Sequence, residues 1–327
     1  MRQRVSARVG LVVLVLGATG CGDNLRVGGD ADSDGAPDST QAPAIQLIRT
    51  WGGFGTGPGQ FVEPSSVELD TAGFVYVAGH ENRVQKFTAD GDLVKIWGTP
   101  GTGDGQFSHP HGLAIDRARG DLIYVGDQEN HRMQVFTSDG AFVRLWSDPQ
   151  FQHIHDVGID PATGDVFIGD YELDVLQRFT PQGTPVVELG GTGTELGRFD
   201  GIWGVSTDSA GNIYVADTFN RRIQKLGPDG TPLAQWLDYG GVPFQKPTGV
   251  FVDARDVIYV CDSLAEMVVL FDRDGGVVDR WPLRSVLGEV SEPEDIVLDP
   301  TGQEIYLVEV RNHRVHHLRR REPARHL

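Results

Sequence analysis

Cysteine is nearly absent: the 327 residues hold two, Cys21 and Cys261, too few for a disulfide framework. Basic charge is also short, with 28 Lys and Arg against 46 Asp and Glu and a formal net charge of −18. That deficit argues against nucleic acid or anionic lipid as a partner of the folded body, because both demand clustered cations. The N-terminal apolar run, Val9 to Leu16, is too short to cross a bilayer as a permanent helix. Glycine and proline, by contrast, are plentiful at 43 and 18 residues. They recur periodically, which predicts many turns in an ordered fold and excludes a helical bundle.

The N-terminus reads as an address. Arg2, Arg4 and Arg8 precede the apolar run, and small residues lead to Cys21, the pattern of a secretory signal. Ala18-Thr19-Gly20-Cys21 resembles the bacterial lipoprotein box. The resemblance implies cleavage before Cys21 and lipid on its sulfur, anchoring the chain at about 0.8 kcal/mol per buried methylene without a spanning helix. The other reading is an ordinary secreted protein cut near Gly20. Residues 1–20 are then the signal peptide, and their loss takes the charge to −21. Residues 21–44 are rich in Gly, Asp, Ser and Pro and read as a flexible tether. The expected setting is a bacterial cell envelope, with the body facing the periplasm or the surface, the expected partners being a protein, peptide or small molecule, and the body a monomer. Cys261 then has no disulfide partner in its own chain and reads as a core thiol.

An internal repeat decides the fold class. Six apolar strand openings end in an acidic residue, from Val67-Glu68-Leu69-Asp70 and Leu113-Ala114-Ile115-Asp116 to Ile296-Val297-Leu298-Asp299, at spacings of 46, 44, 48, 45 and 46 residues. Each is followed by a second strand and a third that ends before a turn, such as Asp90-Gly91 or Asp139-Gly140, and the first five by a fourth carrying Trp97, Trp146, Leu189, Trp236 or Trp281. Four short strands per period is the pattern of a propeller blade. The sixth unit lacks a fourth strand, and an orphan one, Ile45 to Trp51, precedes the first. Its pairing with the sixth unit would close the ring and remove the open edges. The expectation is an all-β, six-bladed propeller over residues 45–320, followed by a basic tail at 321–327.

The turn between second and third strands carries a repeated signature. Asp127, Asn130, Arg132 and Gln134 recur as Asp217, Asn220, Arg222 and Gln224, and Glu309, Asn312 and Arg314 repeat it with Glu for Asp. With the Gly-x-Gly-x-Phe approach at Gly57 to Phe61 and Gly103 to Phe107, these residues resemble the NHL-repeat family along essentially the whole ring. Asp fixes turn backbone and Arg bonds a carboxylate in a fork, so the residues read as a structural clasp.

Propellers bind at a mouth of the central channel, which the innermost strands line. Ser65, His111, His155, Trp203, Thr248 and Glu294 stand two residues before the six apolar openings and are the candidate channel-lining and ligand-binding residues. His109 and His153 precede the two histidines by two places, so an extended strand would present each pair to one face. Gly105 to Leu113, followed by Asp127, Glu129, Asn130 and Arg132, resembles a blade of peptidyl-hydroxyglycine alpha-amidating lyase. That resemblance implies a channel zinc, a nearby calcium, and His111 and His155, with His109 or His153, as ligands. The alternate blades hold Trp203 and Glu294, or Ser65 and Thr248, and Phe219 stands where that family has a tyrosine. Two readings stay open: a binding or scaffold propeller whose channel is polar, and a metal-dependent lyase. The stretch from Arg311 to Leu327, rich in Arg and His, reads as a solvated tail, or as a basic contact with anionic lipid or polysaccharide.

Overall fold

The computed structural model describes residues 44–321. Cys21, the signal segment, nearly all of the tether and residues 322–327 lie outside the described residues. The described chain forms six four-stranded antiparallel sheets. The first strands, Pro64–Leu69, Pro110–Asp116, Ile154–Ile159, Ile202–Thr207, Pro247–Val252 and Pro293–Leu298, each pack against their counterparts on either side and line the axis. The remaining three strands of each blade lead outward in chain order, except in the sixth. There the outermost strand is Ile45–Gly52, antiparallel to Arg314–Arg320 with Trp51 opposite Val315 and Ile45 opposite Arg320. The N-terminal strand thus closes the ring, as its Trp-Gly ending predicts.

The strands form because β-branched and aromatic residues alternate with small ones between Gly-containing turns. What they bury lies between blades. Six hydrophobic clusters each draw on two neighbours: Trp51, Val315 and Val308 of the sixth blade meet Phe61, Val67 and Phe87 of the first, and Cys261 and Trp281 of the fifth meet Ile305 and Leu318 of the sixth. Cys261 is fully buried there, a core thiol as expected. An interlock repeats at the outer edge. The turn glycine Gly91 has φ of 78°, and a Cβ on it would stand 2.6 Å from the Trp51 ring. Only glycine lets that turn close on the preceding blade's tryptophan. Gly140 meets Trp97 in the same way, and Gly230 meets Leu189, where leucine replaces tryptophan.

The clasps are built as the signature implies. Asp217 Oδ2 accepts from Arg222 Nε at 2.6 Å and Gln224 Nε2 at 2.9 Å, while Asp217 Oδ1 accepts from the Asp200 amide at 2.8 Å. Arg222 then reaches the carbonyls of Thr194, Glu195 and Arg198, tying turn and incoming loop together. Asp127 and Arg132 repeat this at 2.7 Å. Four blades depart from it. In the third and fifth, Val175 and Met267 stand at the arginine's place, and Asp170 and Asp262 accept backbone amides of the incoming loop. Arg314 leaves Glu309 and pairs with Glu289 at 2.5 Å, so the expected third copy is only partial: Glu309 accepts backbone amides of Glu292, Arg311 and Asn312 instead. In the first blade Glu81 supplies the carboxylate, accepting from Val62 N and Gln85 Nε2. The solvated-tail reading fails for residues 314–320, which form the third strand of the last blade. His316 and His317 are buried there, 1% and 3% exposed, because the N-terminal strand covers them.

Removing Asp217 would strand a guanidinium whose side chain is 4% exposed. Asp217→Ala is therefore expected to destabilise the body by about 3–5 kcal/mol. Glu266→Ala, whose partner Arg284 is 64% exposed, should cost less than about 1 kcal/mol. Urea unfolding of both variants checks the contrast; equal costs would refute the clasp.

Candidate functional site

Each of the six candidate channel residues sits at an irregularity of the first strand. Pairing with the second strand slips between Pro64 and Ser66, Pro110 and Leu113, Ile154 and Asp156, Ile202 and Gly204, Pro247 and Val250, and Pro293 and Asp295. A bulge leaves a residue unpaired and re-aims its side chain, and the residues so released are Ser65, His111, His155, Trp203, Thr248 and Glu294.

Neighbouring blades are then linked by their bulge residues. Ser65 Oγ donates to the carbonyl of His111 at 3.0 Å, His111 Nδ1 to that of His155 at 2.7 Å, and His155 Nδ1 to that of Trp203 at 3.1 Å. A carbonyl only accepts, so each Nδ1 must carry its proton and each Nε2 keeps a lone pair. The series ends at Trp203, whose Nε1 is buried without a partner among the described residues. Thr248 departs from the expectation. It is fully buried, its hydroxyl donates to the Pro293 carbonyl at 2.9 Å, and it lines neither cavity at this mouth.

The other five surround a cavity of about 150 Å³ at this mouth, together with Glu63, His80 and Lys246. His155, Tyr171, Trp203 and Phe219 form a continuous aromatic wall, with His155 5.0 Å and Tyr171 5.9 Å from Trp203 and Phe219 5.8 Å from Tyr171. Lys246 Nζ lies 3.9 Å from the Trp203 ring centre, a cation–π contact. Its backbone is pinned by Asp262, which accepts from the Lys246 amide at 2.8 Å. Tyr171, His80, Glu63 and Lys246 were not singled out from sequence. The signal was present for two of them: Glu63 and Lys246 occupy the place held by His109 and His153, two before the bulge. His80 was hidden because the first blade's turn is one residue shorter than that of Asp127 to Arg132.

His109 and His153 are not same-face partners of the channel imidazoles. His109 has φ of 61° and lies outside the strand, so strand alternation does not apply to it. Its ring centre is 6.3 Å from His111 but 3.7 Å from His80. His153 is 6.4 Å from His155 and 5.2 Å from Tyr171. Neither lines the cavity. Among the described residues no three His, Cys, Asp or Glu are arranged to hold a metal ion. Two imidazoles sharing a tetrahedral zinc, at Zn–N of about 2.0–2.1 Å, hold their ring centres roughly 5 Å apart. His111 and His155 stand at 4.0 Å, too close for that geometry. The residues present do not fit the expected zinc.

Burial dominates the electrostatics. It pushes the His111 imidazole down to about 3, helped by His80 and opposed by the bond to His155. It pushes His155 well below its ordinary value, with His111 adding to the effect, and His80 to about 4. Burial also raises the Glu294 carboxyl to about 7 against the pull of Lys246. Deeper in the channel, Asp156 and Asp295 share a narrow cavity with His111 and His155, and burial raises both carboxyls. The mouth thus combines two neutral imidazole acceptors, a carboxyl able to exchange a proton near neutrality and one ammonium.

Comparison with known proteins follows this geometry. The family model for the NHL repeat matches residues 107–136, which run from the loop phenylalanine of the second blade to the end of its third strand. The chain is a six-bladed β-propeller with an NHL repeat in its second blade. Among curated proteins it is similar to NHL repeat-containing protein 3 of Mus musculus, 32% identical over 175 residues that make up 47% of this chain and 50% of the relative. It is also similar to B-box type zinc finger protein ncl-1 of Caenorhabditis elegans, 42% identical over 127 residues, 38% of this chain and 15% of that protein. The chain thus spans half the length of the first relative, and far less of the second. Among solved structures, a catalytically inactive virginiamycin B lyase from Staphylococcus aureus with quinupristin superimposes with a TM-score of 0.60 at 14% identity, covering 80% of this chain and 82% of that one. A streptogramin B lyase gives 0.59 at 13% identity, covering 85% and 98%. These likenesses show the propeller fold.

The neutral imidazoles make acid stability a readout of the site. An unfolded His111 takes a proton near 6.5, whereas the folded one resists until about pH 3, so stability falls as pH drops through that window. Glu294 acts oppositely between 4.5 and about 7, holding a proton the unfolded chain has released. Comparing His111→Gln with the parent isolates the imidazole: between pH 7 and 5 the parent should lose about 2 kcal/mol more. Parallel urea-derived stabilities at the two pH values would refute the buried neutral ring.

Proposed function

We propose that this NHL-repeat propeller is a lipid-anchored, extracytoplasmic binding module of the bacterial envelope that takes a small molecule or a peptide end at its imidazole-lined mouth. The observation that carries the reading is the fixed tautomer of His111 and His155, whose Nδ1 atoms are spent on blade carbonyls. Two oriented acceptors are thereby held beside an aromatic wall and a cavity of about 150 Å³. That volume is below the 300–1,000 Å³ of pockets for drug-sized ligands, so the mouth suits a fragment or a terminal group. Anchoring is supported by the Ala18 to Cys21 box and the polar stretch that follows it.

A second reading is favoured by one observation. A neutral imidazole with a free Nε2 and the Glu294 carboxyl at about 7 line the same cavity, the pairing that general base and general acid require. With the fold shared with virginiamycin B lyase, this supports a lyase acting on a bound peptide-like or hydroxylated substrate. In that scheme the His155 or His111 Nε2 removes a proton and Glu294 returns one. Among the described residues no three His, Cys, Asp or Glu form a ligand set for zinc or calcium to act through.

Two measurements test the readings. Cys21→Ala is expected to move the protein from the membrane fraction to the soluble one; an unchanged distribution would refute the anchor. The soluble Cys21→Ala protein, incubated with quinupristin and followed by chromatography, should leave it intact under the binding reading. Conversion lost on His155→Ala would replace that reading with the lyase. Elemental analysis of the same preparation should find no stoichiometric zinc, and zinc that disappears in a His111→Ala, His155→Ala double variant would do the same.

A further inference from the structure

Two charged groups at the mouth lack partners. Glu294 is 9% exposed, lines the cavity and engages no hydrogen-bond donor among the described residues. The Lys246 charge is felt at this carboxyl without touching it. Lys246 lines the same cavity; its ammonium rests on Trp203 and forms no ion pair among the described residues. The two therefore share one cavity lining without closing into an ion pair. Elsewhere the body pairs its buried charges closely, as Asp127 with Arg132 at 2.7 Å and Asp217 with Arg222 at 2.6 Å. Burying a carboxyl and leaving a cation unmatched costs free energy that a ligand can recover.

The complement of this lining can be read group by group. The Nε2 atoms of His111 and His155 and the oxygens of Glu294 are acceptors awaiting donors. They do not converge on one ion, since among the described residues no three such groups are arranged around a metal position. A single ammonium donor would find no common point either. Donors spread around a small ring meet it better, and hydroxyls are favoured over cationic donors because this floor holds even its own imidazoles neutral. Lys246, at the edge of the same cavity, calls for an anion. The aromatic wall ends in Phe219, 49% exposed and inclined 56° to the Trp203 ring, and offers apolar ring surface beside the mouth.

We propose that the mouth binds a carboxylated sugar ring of the uronic-acid class, its hydroxyls donating to His111, His155 and Glu294 and its carboxylate pairing with Lys246. The proposal rests on the binding reading above and names its ligand. A free sugar acid and the terminal residue of an acidic polysaccharide present the same chemistry, and the test separates them.

The experiment is isothermal titration of the full chain in detergent with sodium glucuronate, glucose, a galacturonate trimer and, as a non-sugar probe, the dipeptide glycyl-tryptophan. Glucuronate is expected to bind at least tenfold more tightly than glucose. Lys246→Met should abolish that preference while leaving cooperative unfolding intact, and Glu294→Leu should weaken both sugars. Tighter binding of the trimer assigns a polysaccharide end, and equal or weaker binding a free sugar acid. Because Lys246 contacts Trp203, Lys246→Arg provides a second variant that keeps the charge and should retain the preference. Equal affinity for glucose and glucuronate, or a preference that survives Lys246→Met, overturns the proposal. Binding of glycyl-tryptophan without glucuronate overturns it while the binding reading stands. No heat with any of the four probes defeats both.

Discussion

The pairing of Ile45–Gly52 with Arg314–Arg320 is the constraint on which the rest depends. Every hydrophobic cluster in the described body lies between two blades, so a blade has no core of its own to fall back on. Six clusters for six blades require a closed circle. If the N-terminal strand leaves, Trp51 departs from the first interface and Ile45 from the last. The buried His316 would then lose its bond to Thr50. Local contacts stabilise each sheet, but the long-range pairing of the chain's two ends makes the six interfaces one cooperative unit.

Closure also fixes the mouth. Bulge residues reach the axis only because neighbouring first strands approach closely, and they do so where glycine stands: a Cβ on Gly112 would meet the Asp156 backbone at 2.7 Å. The hydrogen bonds from Ser65 to His111, His111 to His155 and His155 to Trp203 therefore report the spacing of four blades. Orientation of the imidazoles is a property of the ring and not of any one strand. The Trp203 Nε1 donates to no carbonyl among the described residues, and it is here that the aromatic wall and Lys246 gather.

Much of the fold was legible in the sequence, and the reasons are local. Turn glycines, clasp aspartates and the outer tryptophans recur at a fixed period, and each records a contact within one blade or with the next. The orphan Trp51-Gly52 foretold closure because it copies Trp97-Gly98. The site was legible only in part. The positions of Ser65, His111, His155, Trp203 and Glu294 followed from the repeat, whereas Thr248, whose hydroxyl bonds the Pro293 carbonyl as that of Ser65 bonds His111, lines neither cavity at the mouth. Strand alternation misplaced His109 and His153, since a left-handed residue and a bulge intervene, and neither leaves a mark in composition. The clasp of Glu309 and Arg314 looked complete in sequence but was not, because Glu289, from the incoming loop, competes for the arginine. Tyr171 and Phe219 join the wall across two blades, a proximity that no spacing encodes.

The amide of Arg321 donates to the carbonyl of Ala44 at 2.8 Å, so the chain enters and leaves the body at adjacent points on the outer perimeter of one blade. A circle whose ends touch has no intrinsic beginning. A short linker between these two points would permit circular permutation, with new ends opened in any turn on the perimeter. The blade completed by a distant strand would then be a matter of choice, while the order of side chains around the axis would stay the same. Within the described residues, both ends of this closing strand pair are carried at the edge of that blade and away from the six strands that line the axis.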